Sequence, residues 1–267
     1  MSYTPAMNGF FAPRAFAVRT MEPELLDQDD VPAAERRHAY DGLDRLQRWA
    51  LTARRLYAAA RPALQHKIDT QQPIRWVDLA CGSGRILTDV VKHAWKRDSA
   101  TIEPVGVDFS PESLALARRN AAEAGVDVEW ACGNLVTEPL PEAAIGADVI
   151  SCSLFLHHLD DADIAVVLRK AAAACRVLLV DDLRRNRRSF ALAWLAGRVL
   201  TRSRIVQVDG AISVRAGLEP PELRAHADSA GLDGFELLTQ WPQRMLLRHV
   251  SEAVAVGVSP ATVAATI

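Results

Sequence analysis

Two adjacent histidines, His157 and His158, close the apolar run "DVISCSLFLHHLDD", and Asp160 and Asp161 follow at once. A neutral imidazole near pH 7 can take a proton from a hydroxyl, share a metal with a carboxylate, or simply pack at the end of a strand. Four other stretches could do chemistry. "VDLACGSGR" places Asp78 four residues before Gly82, with Gly84 two residues further on. "VGVDFS" ends an apolar run on Asp108, and "CGNL" presents Asn134. "RVLLVDD" ends on Asp181 and Asp182.

These residues need a scaffold, and the pattern from Ile74 onward supplies one. Apolar runs "IRWVDLA", "PVGVDF", "VDVEWA", "DVISCSLF" and "RVLLVDD" alternate with helical patterns. One helix, "SPESLALARRNAAEAG", has Ser110 as N-cap, Pro111 at its first position and Gly125 after its end. Strands alternating with helices predict an α/β fold, a mostly parallel sheet with helices on both faces. "FELLTQW" and "RMLLRHV", joined by "PQ", predict an antiparallel pair at the end of the sheet, seven strands in all.

Residues 1–70 read as a helical N-terminal cap, with "AAERRHAYDGLDRLQRWALTARRLYAAARPAL" as one long or broken helix. Residues 71–251 form the core. An insert after the fifth strand, 183–217, reads as an amphipathic helix followed by a loop. The first ~20 residues and the tail, 252–267, lack periodicity and read as loose.

The glycine loop excludes some ligands. A dinucleotide fingerprint needs a third glycine at position 87, which is Leu87. A phosphate-binding P-loop needs Gly-Lys-Ser/Thr, and Gly84 is followed by Arg85. Asp78 would repel a phosphate and attract an ammonium group. The loop is therefore shaped for a nucleoside without a phosphate chain. Asp108 stands where a carboxylate accepts hydrogen bonds from ribose hydroxyls, and Asn134 where an amide meets an adenine edge.

Composition narrows the class further. The 267 residues are 49% hydrophobic, enough for one substantial core. A net charge of −2 argues against nucleic-acid binding. No signal peptide is read at the N-terminus, and "SFALAWLAGRVL", broken by Arg198, is too short for a membrane span. Cys81, Cys132, Cys152 and Cys175 form no CxxC pair and read as buried free thiols of a cytoplasmic protein.

In order, "VDLACGSG", "VGVDFSPESLALAR", "CGN" and "DVISCSLFLHHLDD" resemble the class I S-adenosylmethionine-dependent methyltransferases. The resemblance spans residues 74–182 and, more loosely, 219–250. It implies a Rossmann-like sheet and S-adenosylmethionine as cofactor. Asp78, Gly82 and Gly84, with Ala80, would hold its methionine part. Asp108, with Phe109, would hold the ribose, and Asn134, with Leu135, the adenine. The backbone near Cys152 and Ser153 would line the sulfonium side. Asn134 departs from the more usual aspartate.

On this reading the opening stretch is the fourth strand, whose end faces the transferred methyl group. His157 is the candidate general base. His158 packs at the turn, with Asp160 or Asp161 capping the next helix. Asp181 and Asp182 could be half of a magnesium site, but the fourth strand offers Ser153 and Leu154 in place of a carboxylate, so no metal is expected.

The acceptor would meet the cap and the insert, where Trp49, Tyr57, Phe190 and Trp194 suggest a small apolar compound, phenolic or polyketide-like. O-methylation is favoured. Carbon or nitrogen methylation, or binding of the cofactor without catalysis, are the alternatives. RNA or protein methylation is disfavoured by charge and by the absence of an "NPPY"-type strand end. Seven arginines between Leu183 and Arg204, with no acid among them, suggest a solvated face or attraction of an anionic acceptor or an acidic carrier protein.

Overall fold

The computed structural model describes residues 16–28 and 30–251. The expectation for the tail 252–267 and most of that for the first residues lie outside the described range. Seven strands form one sheet in the order β3-β2-β1-β4-β5-β7-β6. They are β1 Ile74–Leu79, β2 Ile102–Asp108, β3 Glu129–Cys132, β4 Ala147–Ser153, β5 Cys175–Leu183, β6 Glu236–Gln240 and β7 Arg244–Val250. The first five pair in parallel, and β7 lies antiparallel between β5 and β6. The α/β sheet expected from the alternating pattern is therefore present, and the late pair sits at its end.

The helices are α1 Ala33–Trp49, α2 Thr52–Asp69, α3 Arg85–Asp98, α4 Pro111–Ala124, α5 Asp161–Ala174, α6 Arg187–Leu200, α7 Arg204–Ala216 and α8 Pro220–Ser229. One core layer packs α5 and α8 against Ile150, Leu178 and Leu247. The other packs α2 and α3 against Trp76, Val149, Val177 and Leu246. Alternate residues of each central strand face opposite layers, which is why those strands read as near-continuous apolar runs.

Two local readings change. The N-terminal helical stretch breaks at Leu51, whose φ of +56° turns the chain between α1 and α2. The loop expected in the second half of the insert is the helix α7, started by Ser203, whose hydroxyl accepts from the Val206 N–H. Its apolar residues Ile205 and Val206 pack under α1. Among the described residues no helix is long and apolar enough to cross a membrane.

Candidate active site

The carboxyl ends of β1, β2 and β4 open into a cavity of about 780 Å³, roofed by residues 24–27, α1, α6 and α7. Ala80, Gly82, Asp108, Phe109, His157 and His158 all line it. Asp78, Gly84, Asn134, Leu135, Cys152 and Ser153 do not.

The glycine loop is held from three sides. The Ser83 hydroxyl donates to Asp44 of α1 at 2.8 Å, and the Asn120 amide of α4 donates to the Ser83 carbonyl at 2.8 Å. Asp44 also meets Arg85 at 3.1 Å. Burial raises Asp44 to about 6 against the pull of Ser83 and Arg85. Gly82 N–H donates to Asp108 at 2.9 Å, and a Cβ built on Gly82 (φ +51°) would meet only Tyr40 at 3.8 Å. Gly84 serves packing. Its φ is +70°, and a Cβ there would lie 2.6 Å from the Trp130 ring. Gly106 of β2 lies under the same ring, at 2.3 Å.

Asp108 is buried, and its two oxygens accept one backbone N–H each, from Gly82 and Ser110. Each oxygen keeps lone-pair capacity for a ribose hydroxyl in the cavity. Asp78 lies beneath the loop, 2% exposed, accepting from the Ser151 hydroxyl at 2.6 Å. Burial lifts it to about 7, with Asp108 adding repulsion. A buried carboxyl of this kind is relieved by a neighbouring cation. Asn134 is exposed, and its side-chain oxygen accepts from the N–H groups of Val136 and Thr137 in a turn.

The histidine turn is tied down by a residue outside the core. Arg19 donates to the carbonyls of Leu156, His157 and Leu159 at 2.7–3.2 Å, and pairs with Asp161 at 2.9 Å. Asp160 occupies the N-cap of α5 without a side-chain capping bond, so neither acid caps as expected. His157 is buried. Its Nδ1 meets Asp182 at 2.7 Å, and its Nε2 faces Glu24 at 3.6 Å. Burial works against its charge, but Asp182 and Glu24 outweigh it and raise His157 to about 10. His158 packs ring to ring on it at 4.3 Å, with Nδ1 3.5 Å from Asp27. Burial and the charge on His157 lower His158. The imidazole that is neutral at pH 7 is thus His158.

Glu24 is lowered by His157 despite its burial, and it accepts from the Ser213 hydroxyl. Asp209 accepts the N–H groups of Leu25 and Leu26, and burial raises it to about 7. Among the described residues, Glu24, His157 and His158 could together hold a metal ion, their ligand atoms lying within 4.8 Å of one another. Asp181 and Asp182 do not form the half-site considered from sequence. Asp182 is bonded to His157, and Asp181 takes Arg55 and Arg244.

Of the aromatic candidates, Trp49 lines the cavity. Tyr57 is core, against Trp76, and Phe190 is buried against Phe16. Trp194 lies under Arg198. None of the seven insert arginines lines the cavity; Arg184 pairs with Glu219, and Arg185 is buried on Glu222. Three cysteines are buried and Cys132 is exposed, contrary to its expected burial; all four are free. Its position at the end of a short strand, four residues long, leaves it uncovered.

An open α/β sheet whose strand ends converge on a glycine loop and a buried carboxylate is an arrangement that suits a nucleoside ligand. Residues 77–177 match the family model of a methyltransferase domain. The chain is 30% identical over 173 residues to the ubiquinone biosynthesis O-methyltransferase of Bordetella avium (strain 197N), covering 64% of this chain and 66% of that protein. Identity to the protein of the same name from Azorhizobium caulinodans is 28% over 167 residues, 61% and 60% of the two chains. The chain thus spans slightly less than two thirds of these relatives. Among solved structures, a Nostoc punctiforme PCC 73102 protein provisionally assigned as an O-methyltransferase superposes with a TM-score of 0.53. It shares 18% identity, over 91% of this chain and 68% of that one, which is a likeness of fold. Over residues 77–177 the chain matches a methyltransferase domain, and over 61–64% of its length it is similar to these O-methyltransferases. The cofactor of such a domain is S-adenosylmethionine; the Asp108 carboxylate can accept from its ribose hydroxyls, and the Asp78 carboxylate suits its ammonium group.

Proposed function

We propose that the protein methylates a hydroxyl oxygen of a small, largely apolar acceptor, phenolic or polyketide-like. The observation that carries this reading is one cavity reaching from Asp108 to a neutral histidine beside a cationic one. When bound, the cofactor supplies a methyl group already activated on a sulfonium. The chain supplies position, dryness and a proton acceptor. Asp108 holds the ribose and Asp78 the ammonium, which fixes the reacting end above β4. Outside the cavity, Leu135 and Cys152 pack in the core beneath it, and Asn134 closes its own turn.

His158 accepts the hydroxyl proton, a role that the sequence suggested for His157. His157, charged between Asp182 and Glu24, stabilises the oxyanion that forms. Relatives named for ubiquinone biosynthesis favour a phenolic acceptor. The test is product formation: purified protein, methyl-labelled S-adenosylmethionine and a panel of catechols and hydroxylated polyketides, read by mass spectrometry. O-methylated product is expected. Tight S-adenosylhomocysteine binding with no product across the panel and a metabolite extract would favour the non-catalytic alternative, and label on carbon or nitrogen would replace the O-methyl reading.

A further inference from the structure

The cavity is lined by Arg36 beside Asp27 and, where β7 begins, by Arg244, whose surroundings carry an excess of positive charge. Arg244, the first residue of β7, lines the cavity with its side chain 6% exposed. Its Nη1 donates to Asp181 at 2.6 Å. Arg55 of α2 places Nη2 on both oxygens of the same carboxylate, at 3.2 and 3.1 Å, and its Nη1 on the Trp241 carbonyl. Two guanidinium groups therefore share one carboxylate. The adjacent acid, Asp182, cannot balance the account, because it is committed to the cationic His157.

Among the described residues Asp181 is the one hydrogen-bond acceptor that the Arg244 guanidinium meets. A guanidinium has five N–H donors in a planar fork, and a carboxylate satisfies two of them at once. Leaving a cation buried and only half compensated is costly, and an anion arriving from the cavity removes that cost. The cofactor is not placed to provide it. Asp108 ends β2 and Arg244 begins β7, four strands away in the sheet order. At about 4.8 Å per strand that is roughly 19 Å, across the portion of the cavity left to the acceptor.

We infer that Arg244, set by Asp181 and Arg55, is a carboxylate subsite, and that the acceptor is an apolar hydroxy acid. The inference rests on the methyltransferase reading above and names the substrate class for the same cavity. Glu24 is already matched by the cationic His157, and Arg36 is bonded to the carbonyls of Leu26 and Gln28 beside Asp27, so Arg244 is where an arriving carboxylate is drawn, with the hydroxyl of the same molecule toward His158. The arginine-rich insert plays no part in this. The charge that selects the acceptor sits on the hairpin at the sheet edge.

Calorimetry on the full chain saturated with S-adenosylhomocysteine tests the assignment. The probes are matched pairs: 3,4-dihydroxybenzoate against 3,4-dihydroxybenzamide, and 4-hydroxycinnamate against its amide. Each acid is expected to bind at least about tenfold tighter than its amide. Arg244→Gln should erase that ratio, and Arg244→Lys should keep part of it. S-adenosylhomocysteine affinity should stay within about twofold of wild type in both variants.

Equal binding of acid and amide, failure of either acid to bind, or a ratio that persists in Arg244→Gln overturns the inference. So does a loss of S-adenosylhomocysteine affinity in Arg244→Gln that 5′-methylthioadenosine does not share, since that result gives Arg244 to the cofactor's own carboxylate. Should Arg244→Gln fail to fold, the wild-type ratio decides alone. A wild-type protein that did not bind S-adenosylhomocysteine would instead defeat the methyltransferase reading itself.

Discussion

The two histidines show how neighbouring side chains of one type acquire opposite duties. Asp182 and Glu24 make His157 a cation, and that cation depresses His158. A base works in its deprotonated form, so its rate limb rises as pH passes upward through its pKa. With His158 as base, kcat/KM should rise below the ordinary histidine value of about 6.5 and be flat above about pH 7. A rate still climbing toward pH 10 would return the role to His157. His158→Gln should lower kcat roughly 10²-fold with unchanged S-adenosylhomocysteine affinity. His157→Gln should cost stability, roughly 3–5 kcal/mol in urea unfolding, because it leaves buried Asp182 without its charge partner. The motif "LHH" announced that chemistry resides here. It could not apportion the roles, since the carboxylates that decide them, Asp182 and Glu24, lie elsewhere in the chain.

Among the elements, the strand-end loops and the N-terminal segment behave differently. β2 and β3 meet so closely that Trp130 lies over Gly84 and Gly106, where a Cβ on Gly106 would fall 2.3 Å from its ring. Gly106→Ala should therefore destabilise the fold by about 1–3 kcal/mol, read as a lower urea midpoint at unchanged slope. The segment before α1 is held by polar bonds as well as by the buried Phe16 and Leu26. Arg19→Ala would strip three carbonyls of a donor and free Asp161. Limited proteolysis should then cut residues 16–28 faster, and the KM for acceptor should rise while S-adenosylhomocysteine affinity holds. Equal cleavage rates in wild type and Arg19→Ala would show that other contacts anchor the segment. The strands and most helices were legible because apolar periodicity is a local signal. Helix α7 was missed because its polar face and short loops resemble a coil until α1 covers Ile205 and Val206. Asp44, Arg55 and Arg244 were missed because no local pattern marks a residue that acts across the sheet.

At the scale of the whole molecule, folding and ligand binding share a buried proton. Asp78 is raised to about 7 in the free protein, and a neighbouring ammonium would lower it. The bound state therefore prefers the ionised carboxylate, so binding near pH 7 releases a proton and strengthens as pH rises. Affinity for S-adenosylhomocysteine should be about tenfold weaker at pH 6 than at pH 8. At a ligand concentration 100 times Kd, stabilisation should approach about 2.7 kcal/mol. Thermal scans at one fixed ligand concentration should show a larger rise in Tm at pH 8 than at pH 6. A rise independent of pH, with no proton released in calorimetry across buffers, would remove Asp78 from the ammonium site.

The cavity also joins the domain-matched span to its flanks. Residues 77–177, the span that matches the methyltransferase domain, bring Ala80, Gly82, Asp108 and the histidines to it. Glu24, Asp27, Trp49, Asp209 and Arg244 come from before and after that span. A chain divided in this way can be edited as two modules. Grafting residues 16–50 and 187–250 of a relative onto this central span, with Tyr40 and Asp44 kept for the glycine loop, should transplant acceptor choice while S-adenosylhomocysteine affinity holds. Drift in the flanks can thus carry the same chemistry to new compounds, with the central span left alone.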